Sequence, residues 1–482
     1  MFTRFALVAA ALAIASAKIS PKLFREIETK GSLPSVVIVE FDPVTDEVLS
    51  KADSRIESVS TRSEKILTVL ETLVENANRQ QSGALEIIAQ AQAKRELTDD
   101  FSAKTLAIAN ILVLTNPSPS LLESLATDVN VKVIRPQHYG KLALPESVED
   151  VAAPTAVEWG VVKIAAPSLW EKGFTGKGIV VGGIDSGVHY THEALKDNWR
   201  SENGYFQPVG NSQFPVDGHG HGTHTMGTSV GAGGIGVAPD AKWIACEGCL
   251  PNTKCPEVAV VACAQYMLCP HDYQGKNPKC ELAPHVINNS WADDDHIPDV
   301  PYYKGPVAAW RKAGIIPVFA NANSGPKCGT VLSPGDYPNV IGVGATTSTD
   351  NLAQFSSRGP GPNNVRKPDV SAPGQRVRSS TRLNNSSYAS SSGTSMATPH
   401  VTGAIALLIQ AQPGITYDEI YAALTKTAET STLTPNNQTC GGLDDSKYPN
   451  NNYGYGRINV FKAATSAPSP STPAPTTTKP AC

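Results

Sequence analysis

The sequence predicts an α/β protein, in which a parallel sheet is covered by helices on both faces and preceded by a small α+β unit. Short apolar runs alternate with helical segments in the second part of the chain, a pattern typical of parallel strands joined by helices. The density of charged residues falls near residue 142, which indicates two differently built units. A chain of 482 residues is long enough to bury at least two cores.

The elements of both units follow from local patterns. In the second unit the predicted strands are 179–184, 286–287, 315–319 and 340–343, and the helices include 258–267 and 307–313. In the first unit the predicted elements are a strand at 36–41, a helix at 66–74, a strand at 108–114, a helix at 120–127 capped by Ser120, and a strand at 129–134. We expect this unit to span 18–141 and the second unit to span 156–465. The joint, 142–155, contains prolines and acidic residues typical of an exposed, cleavable linker.

Composition excludes some partners. The chain has 40 Lys and Arg against 44 Asp and Glu, a net charge of −4, so it lacks the basic field that holds nucleic acid. Charged residues make up 17%, below the roughly 25% of an average soluble protein, while 39 Gly and 37 Pro indicate many loops. We expect a compact monomer with no nucleic-acid or membrane partner.

The N-terminus predicts secretion. Arg4 precedes the apolar run 5–14, and Ala15, Ser16 and Ala17 then form a small-residue cleavage site, so residues 1–17 are interpreted as a signal peptide. The alternative, a membrane anchor, needs about 20 apolar residues. At the other end, residues 466–482 are rich in Ser, Thr and Pro and cannot bury a core.

Nine cysteines follow residue 245, and in an oxidising compartment they are expected to form disulfides whose pairing is left open. Cys482 is left over. The CxxC spacing of Cys246 and Cys249 also suits a zinc or redox site, but secretion disfavours that interpretation. Four glycosylation sequons begin at Asn288, Asn384, Asn385 and Asn437. We expect Asn288 to be buried and unmodified.

Three motifs carry the candidate chemistry. Asp185 ends an apolar strand, His221 lies among glycines in the segment 218–227, and Ser395 begins an apolar helix. Taken singly, each has an ordinary explanation: a turn aspartate, a metal-binding histidine beside His219 and His224, and a capping serine. Their combination indicates nucleophilic catalysis, because a serine hydroxyl needs an imidazole base and the resulting imidazolium needs a carboxylate.

With these motifs the chain resembles the subtilisin-like serine proteases. The matching segments are IDSGV (184–188), HGTH (221–224) and GTSMATPH (393–400), with further matches at INNSW (287–291), NSGP (323–326), FSSRGP (355–360) and SAPG (371–374). The likeness covers about 150–465 and is nearest to the bacillopeptidase F branch. Residues 121–134, LLESLATDVNVKVI, are similar to the end of the family's propeptide.

The resemblance implies roles for particular residues. Asp185, His221 and Ser395 form the triad, and the Asn323 amide joins the Ser395 N–H group in stabilising the oxyanion.

The substrate-binding residues are also carried over from the resemblance. They are Ser290, Trp291 and Ala292 on the substrate-lining strand, with Asn321 and Ala322 before the oxyanion residue. The family commonly has Ser, Leu and Gly on this strand, and a small apolar residue and a glycine at the last two positions. We therefore expect a primary specificity pocket that is narrowed or polar, and the side-chain preference stays open.

The implied function is that of a secreted serine endopeptidase acting on polypeptides, made as a self-processing zymogen whose propeptide is an intramolecular inhibitor. No cofactor is required. The loop 224–239 is short and its run 231–236 has no carboxylate, so we expect the family's tight calcium site to be absent, with weak sites possible elsewhere. One alternative is a catalytically silent binding or decoy protein of the same fold. The other is an esterase, but the chain lacks the GxSxG motif expected of an esterase around Ser395.

Overall fold

The computed structural model describes residues 18–143, 148–293 and 299–466. The predicted signal peptide and all but the first residue of the Ser/Thr/Pro-rich tail lie outside the described residues. The leftover Cys482 lies outside them as well.

The first unit combines helices with an antiparallel sheet of four strands in the order β2-β3-β1-β4. Its elements are α1 (Pro21–Lys30), β1 (Val36–Glu40), α2 (Asp46–Ser50), α3 (Asp53–Glu57), α4 (Arg62–Ala93), β2 (Ser102–Leu106), β3 (Ile111–Thr115), α5 (Pro119–Ala126) and β4 (Val133–Pro136). Helix α4 runs for 32 residues from a capping box formed by Thr61 and Glu64, which satisfies its first N–H groups. Ser118, and not the predicted Ser120, caps α5, because Pro119 occupies the first helical position and Leu121 N–H donates to the Ser118 hydroxyl.

The second unit is built on a parallel sheet of seven strands in the order β15-β14-β13-β11-β7-β9-β8. Its elements, with those of the joint, are β5 (Tyr139–Leu142), β6 (Val148–Val151), α6 (Trp159–Lys163), α7 (Pro167–Trp170), β7 (Val180–Asp185), β8 (Tyr205–Phe206), α8 (His221–Val230), β9 (Lys242–Glu247), β10 (Lys254–Pro256), α9 (Glu257–Leu268), β11 (Val286–Asn289), β12 (Trp291–Asp293), α10 (Lys304–Ala313), β13 (Ile316–Ala320), β14 (Ile341–Thr346), β15 (Val370–Pro373), β16 (Val377–Ser380), β17 (Tyr388–Ser391), α11 (Thr394–Ala411), α12 (Tyr417–Lys426), β18 (Thr439–Cys440), β19 (Leu443–Asp444) and α13 (Val460–Ser466).

Helices cover both faces of the parallel sheet, which confirms the predicted fold class. Strand residues alternate between two cores: Val181 and Val318 pack with α8 and α11, while Ile184 and Phe319 pack with α9 and α10. This arrangement is expected for strands whose side chains point to opposite faces in turn.

The two units share a core. One face of the antiparallel sheet, with Val37 and Val39, packs against α1, α5 and the C-terminal half of α4. The opposite face, with Ile38 and Val113, joins the apolar cluster that includes α9 and α10 of the second unit. The first unit is therefore docked on the second through buried apolar surface.

The joint is not an exposed linker at its start. Leu142 and Ala143 are only 1% and 7% exposed, because β5 lies between β10 and β12 in a three-stranded antiparallel sheet. After the undescribed residues 144–147, β6 is an edge strand of a separate three-stranded sheet and pairs with its central strand, β17. The prolines and acidic residues of this stretch predicted a loop, but backbone pairing to distant strands overrides that local preference.

Four disulfides join the cysteines of the described residues. They are Cys246–Cys263, Cys249–Cys255, Cys269–Cys280 and Cys328–Cys440. The prediction of disulfides is confirmed, and the CxxC cysteines belong to two different bridges, which excludes a local redox pair at that motif.

A buried ion pair fixes the docking of the first unit. Arg135 of β4 donates two hydrogen bonds of 2.7 Å to the carboxylate of Glu257, the first residue of α9. Burial alone would raise the pKa of Glu257, but the Arg135 guanidinium outweighs it and holds that pKa below its ordinary value. The pair therefore stabilises the docked state above the ordinary carboxyl range, and this contribution is lost as the pH falls through the lowered pKa.

We predict that Arg135→Met lowers the free energy of unfolding of the whole chain by about 3–5 kcal/mol at neutral pH, because Glu257 is left buried without a cation. Lys132→Met is the matched control on the same segment, since Lys132 pairs with Asp42 at the surface. Loss of this exposed pair should lower the free energy of unfolding by at most about 1 kcal/mol. Urea unfolding at pH 7, and again at a pH below the ordinary carboxyl pKa of 4.5, measures the free energy of unfolding of both variants. Equal losses for the two variants at pH 7 contradict the assigned role.

Candidate active site

Asp185 and His221 meet at the carboxyl end of β7. The Asp185 carboxylate lies 2.8 Å from Nδ1 of His221, and both residues are buried. The glycine beside the histidine is required by space, since a Cβ on Gly222 would lie 2.1 Å from the carbonyl oxygen of Gly187. The small size of Gly222 thus allows helix α8 to approach the turn after β7 closely.

Asp217, which the sequence motifs did not indicate, links the turn after β7 to the start of α8. Its carboxylate accepts hydrogen bonds from the Ser186 hydroxyl at 2.8 Å, the Gly220 N–H at 2.6 Å and the Thr223 N–H at 2.9 Å. Burial raises the pKa of Asp217 above its ordinary value, against the effect of these donors. Asp217 lies four residues before the first residue of α8, so it does not stand at the usual capping position, which Gly220 occupies.

The carboxylate of Asp185 also sets the charge state of His221. Burial by itself favours the neutral imidazole, but the adjacent Asp185 charge and hydrogen bond outweigh burial and raise the pKa of His221 above 6.5. A buried neutral imidazole whose protonated form is stabilised in this way can accept a proton and hold the resulting charge.

Ser395 is the second residue of α11, where the first N–H groups of the helix have no intrahelical acceptor. Its hydroxyl donates to the carbonyl oxygen of Ala143 at 2.6 Å and contacts the Ser290 carbonyl oxygen at 3.2 Å. Nε2 of His221 makes no hydrogen bond to any residue that the structure describes. The Ser395 hydroxyl therefore donates its hydrogen bond to the Ala143 carbonyl oxygen and not to His221.

The side chain of Asn323 reaches the same carbonyl. Its Nδ2 donates to Ala143 O at 3.1 Å, and its Oδ1 accepts from both the N–H and the hydroxyl of Thr394 at 2.8 Å. Because the Thr394 N–H can only donate, these bonds fix the amide with its NH₂ group toward Ala143. Thr394 is a positioning residue that sequence reasoning missed, although it directly precedes Ser395.

The substrate-lining residues expected from the sequence flank β5. The Ala143 N–H donates to Ser290 O at 3.2 Å, and in β12 Trp291 pairs with Leu142 and Ala292 with Lys141.

On the opposite edge of β5, the Leu142 N–H donates to Thr253 O at 3.0 Å. Backbone pairing on both edges holds residues 139–143 as an extended peptide, whose last residue contacts Ser395.

Asn321 and Ala322 lie directly before Asn323. The Asn321 amide is fully buried and donates to Ser357 O at 2.9 Å, a contact that supports the turn. Ala322 has a φ of +73°, in the left-handed region that favours glycine. This geometry explains why glycine suits the position. The narrowed or polar pocket stays a prediction.

His224 of the second motif binds backbone carbonyl oxygens. Nε2 of His224 lies 3.1 Å from Val377 O and 3.2 Å from Ala389 O, and burial lowers the pKa of His224 to about 4. Within the described ranges there is no group of three or more His, Cys, Asp or Glu placed to hold a metal ion. In the same ranges no helix is both long and apolar enough to span a bilayer.

Comparison with known proteins gives a consistent result. Residues 176–456 match the subtilase family. The chain is 38% identical over 339 residues to bacillopeptidase F of Bacillus subtilis (strain 168), a match that covers 65% of this chain and 22% of that protein. It is 33% identical over 291 residues to an alkaline protease of Alkalihalobacillus alcalophilus, covering 59% of this chain and 68% of the relative. It is 34% identical over 279 residues to Subtilisin Savinase of Lederbergia lenta, a match that covers 57% of this chain and 91% of that protein.

The match to the family spans more than half of the chain and includes all three motifs that carry the resemblance. The match to bacillopeptidase F spans only about a fifth of the length of that protein. The chain therefore belongs to the subtilase family, a family of serine endopeptidases.

Proposed function

We propose that the chain is a secreted serine endopeptidase, made as a zymogen that cleaves its own joint and then acts on polypeptides. The observation that carries the proposal is the position of Ala143, whose carbonyl oxygen lies 3.1 Å from Asn323 Nδ2 and 2.6 Å from Ser395 Oγ. A peptide carbonyl between an amide donor and a serine hydroxyl has the arrangement that acyl transfer needs.

The proposed mechanism uses Ser395 as the nucleophile. Its hydroxyl turns from the Ala143 carbonyl oxygen to Nε2 of His221, which takes the proton as Oγ attacks the carbonyl carbon. The Asp185 carboxylate stabilises the imidazolium that forms. The Asn323 amide and the Ser395 N–H group stabilise the oxyanion, and His221 returns the proton to the leaving amine before water hydrolyses the acyl-enzyme.

The first unit is proposed to act as an intramolecular inhibitor. Its last strand, β5, occupies the cleft between β10 and β12, so no other peptide can pair there while it is bound. The same register supports Ala143–Leu144 as the bond that is cut, inside the predicted joint and two residues beyond the predicted end of the propeptide at Lys141.

Secretion is proposed from the N-terminal sequence and is supported by four disulfides, which persist in oxidising compartments. Asn288 is buried in the parallel sheet and is not proposed as a glycosylation site. Asn384, Asn385 and Asn437 are exposed, and their glycosylation stays a prediction. A monomer without cofactor, with weak calcium sites at most, likewise stays a prediction.

We predict that Ser395→Ala accumulates as an uncut precursor, because the proposed nucleophile is removed while the strand in the cleft is kept. The wild type should yield a mature chain beginning at Leu144, as read by N-terminal sequencing after expression in a protease-deficient host. The matched control is Ser348→Ala at an exposed position, which should process normally. Labelling of the mature wild type by a fluorophosphonate separates an active enzyme from a silent binding protein, and normal maturation of Ser395→Ala rules self-processing out.

We predict that kcat/KM of the mature enzyme falls on acidification with a midpoint above 6.5, because the charge of Asp185 raises the pKa of His221 and only the neutral imidazole accepts a proton. Asp185→Asn should move this midpoint down and reduce kcat by about 10⁴-fold. A pH–rate profile of both forms on one peptide measures the effect. An unchanged midpoint in the variant is incompatible with the assigned pairing.

We predict that the Cys249–Cys255 bridge shapes the cleft, because the loop it closes carries Thr253, whose carbonyl accepts from Leu142, and leads into β10. The double variant Cys249→Ser/Cys255→Ser should raise KM several-fold more for extended peptides than for short ones. The control Cys269→Ser/Cys280→Ser opens a bridge at the far end of α9.

The two bridges close short loops and should each stabilise the fold by about 2–3 kcal/mol, so loss of stability alone does not separate them. Steady-state kinetics on peptides of two lengths does. If both double variants change the two KM values in the same proportion, the bridges are structural only.

A further inference from the structure

We propose that the cleft accepts only glycine at the substrate position that Gly140 occupies, three residues before the residue that supplies the scissile carbonyl. The carbonyl of Ala292 and the ring of Trp291 close this subsite. The inference rests on the proposed function, since it takes β5 as a bound substrate strand.

The register of β5 fixes where Gly140 lies. Gly140 faces Asp293 of β12 on one edge and Cys255 of β10 on the other. Because both edges are paired, the strand cannot move sideways away from one neighbour without losing hydrogen bonds to the other. A substrate bound in this register meets the same walls.

Space, and not backbone conformation, excludes a side chain here. A Cβ built on Gly140 would lie 2.8 Å from the carbonyl oxygen of Ala292 and 3.4 Å from Cε3 of Trp291. Gly140 does not have the positive φ that would by itself call for glycine. The first distance is shorter than Cβ contacts in folded proteins, so any other residue forces a shift of strand β12.

The neighbours of Gly140 have little freedom to yield. The Trp291 side chain is fully buried, and its ring packs edge-on against Tyr303 at 5.0 Å and Phe319 at 5.8 Å between centroids. The other close atom belongs to the backbone of β12, which Ser290 anchors through a 3.1 Å hydrogen bond from its hydroxyl to Ser395 O. Movement of this strand would disturb the start of α11 and so the nucleophile itself.

The adjacent positions of the strand are open by comparison. Tyr139 is 40% exposed and its ring faces the Lys254 ammonium group at 5.4 Å. Lys141 is half-buried. Among these positions selection is therefore concentrated on one residue, which makes the substrate class peptides with glycine three residues before the residue that supplies the scissile carbonyl.

The test uses the mature enzyme and internally quenched peptides with the sequence of residues 138–145, HYGKLALP. Replacing the residue equivalent to Gly140 by Ala should lower kcat/KM about tenfold or more, and replacing it by Leu should lower kcat/KM further. The matched control replaces the residue equivalent to Tyr139 by Ala, which should change kcat/KM less than about threefold. Equal rates for Gly, Ala and Leu overturn the inference while leaving the proposed function intact.

Failure of the proposed function gives a different result, because an enzyme that neither cleaves the parent peptide nor reacts with a fluorophosphonate overturns both. A second arm uses Trp291→Leu, which replaces the ring beside the subsite with a smaller side chain. In this variant the discrimination between the Gly and Leu peptides should fall. Unchanged discrimination in a folded Trp291→Leu enzyme, checked by fluorophosphonate labelling, refutes the role of Trp291, and the peptide series on the wild type decides the inference where the variant does not fold.

Discussion

The pairing of β5 with strands on both of its edges is the constraint on which the rest of the arrangement depends. Strand β5 and the following Ala143 connect the first unit to the second, fill the groove between β10 and β12, and bring the Ala143 carbonyl to Asn323 and Ser395. Its hydrogen bonds use backbone groups, so they require an extended chain and are indifferent to most side chains. Selectivity then arises where space is tight, as it is at Gly140.

The docking of the first unit combines two kinds of interaction with different sensitivities. The apolar face that includes Ile38 and Val113 packs on α9 and α10 and is insensitive to pH. The Arg135–Glu257 pair is buried and joins β4 to the first residue of α9, and its contribution depends on an ionised carboxylate. Acid therefore weakens the orientation of the unit before it weakens the apolar contact.

The sequence was most informative where a residue type had a local reason for its position. Asp185 at a strand end, His221 among glycines and Ser395 at a helix start were all recognisable, and the structure brings the first two to 2.8 Å of each other. Asp217 and Thr394 were not predicted, because each supports the site through hydrogen bonds to groups that the fold brings near it.

The fold was predictable to a similar degree. The apolar runs located β7, β11, β13 and β14, since buried parallel strands are nearly continuous in apolar residues. Strand β2 was missed because three of its five residues are exposed and show no alternation. The burial of Leu142 could not be predicted, because its partners, Thr253 before β10 and Trp291 in β12, come much later in the chain.

The strand β6 adds a consequence for the timing of activation. Residues up to Ala143 are held by one sheet, through β10 and β12, and residues from Val148 onward are held by another, through β17. A cut between Ala143 and Leu144 would leave residues 139–142 paired in one sheet and residues 148–151 paired in the other. Breaking the chain and vacating the groove are then separate events, and a nicked molecule can still be a closed one.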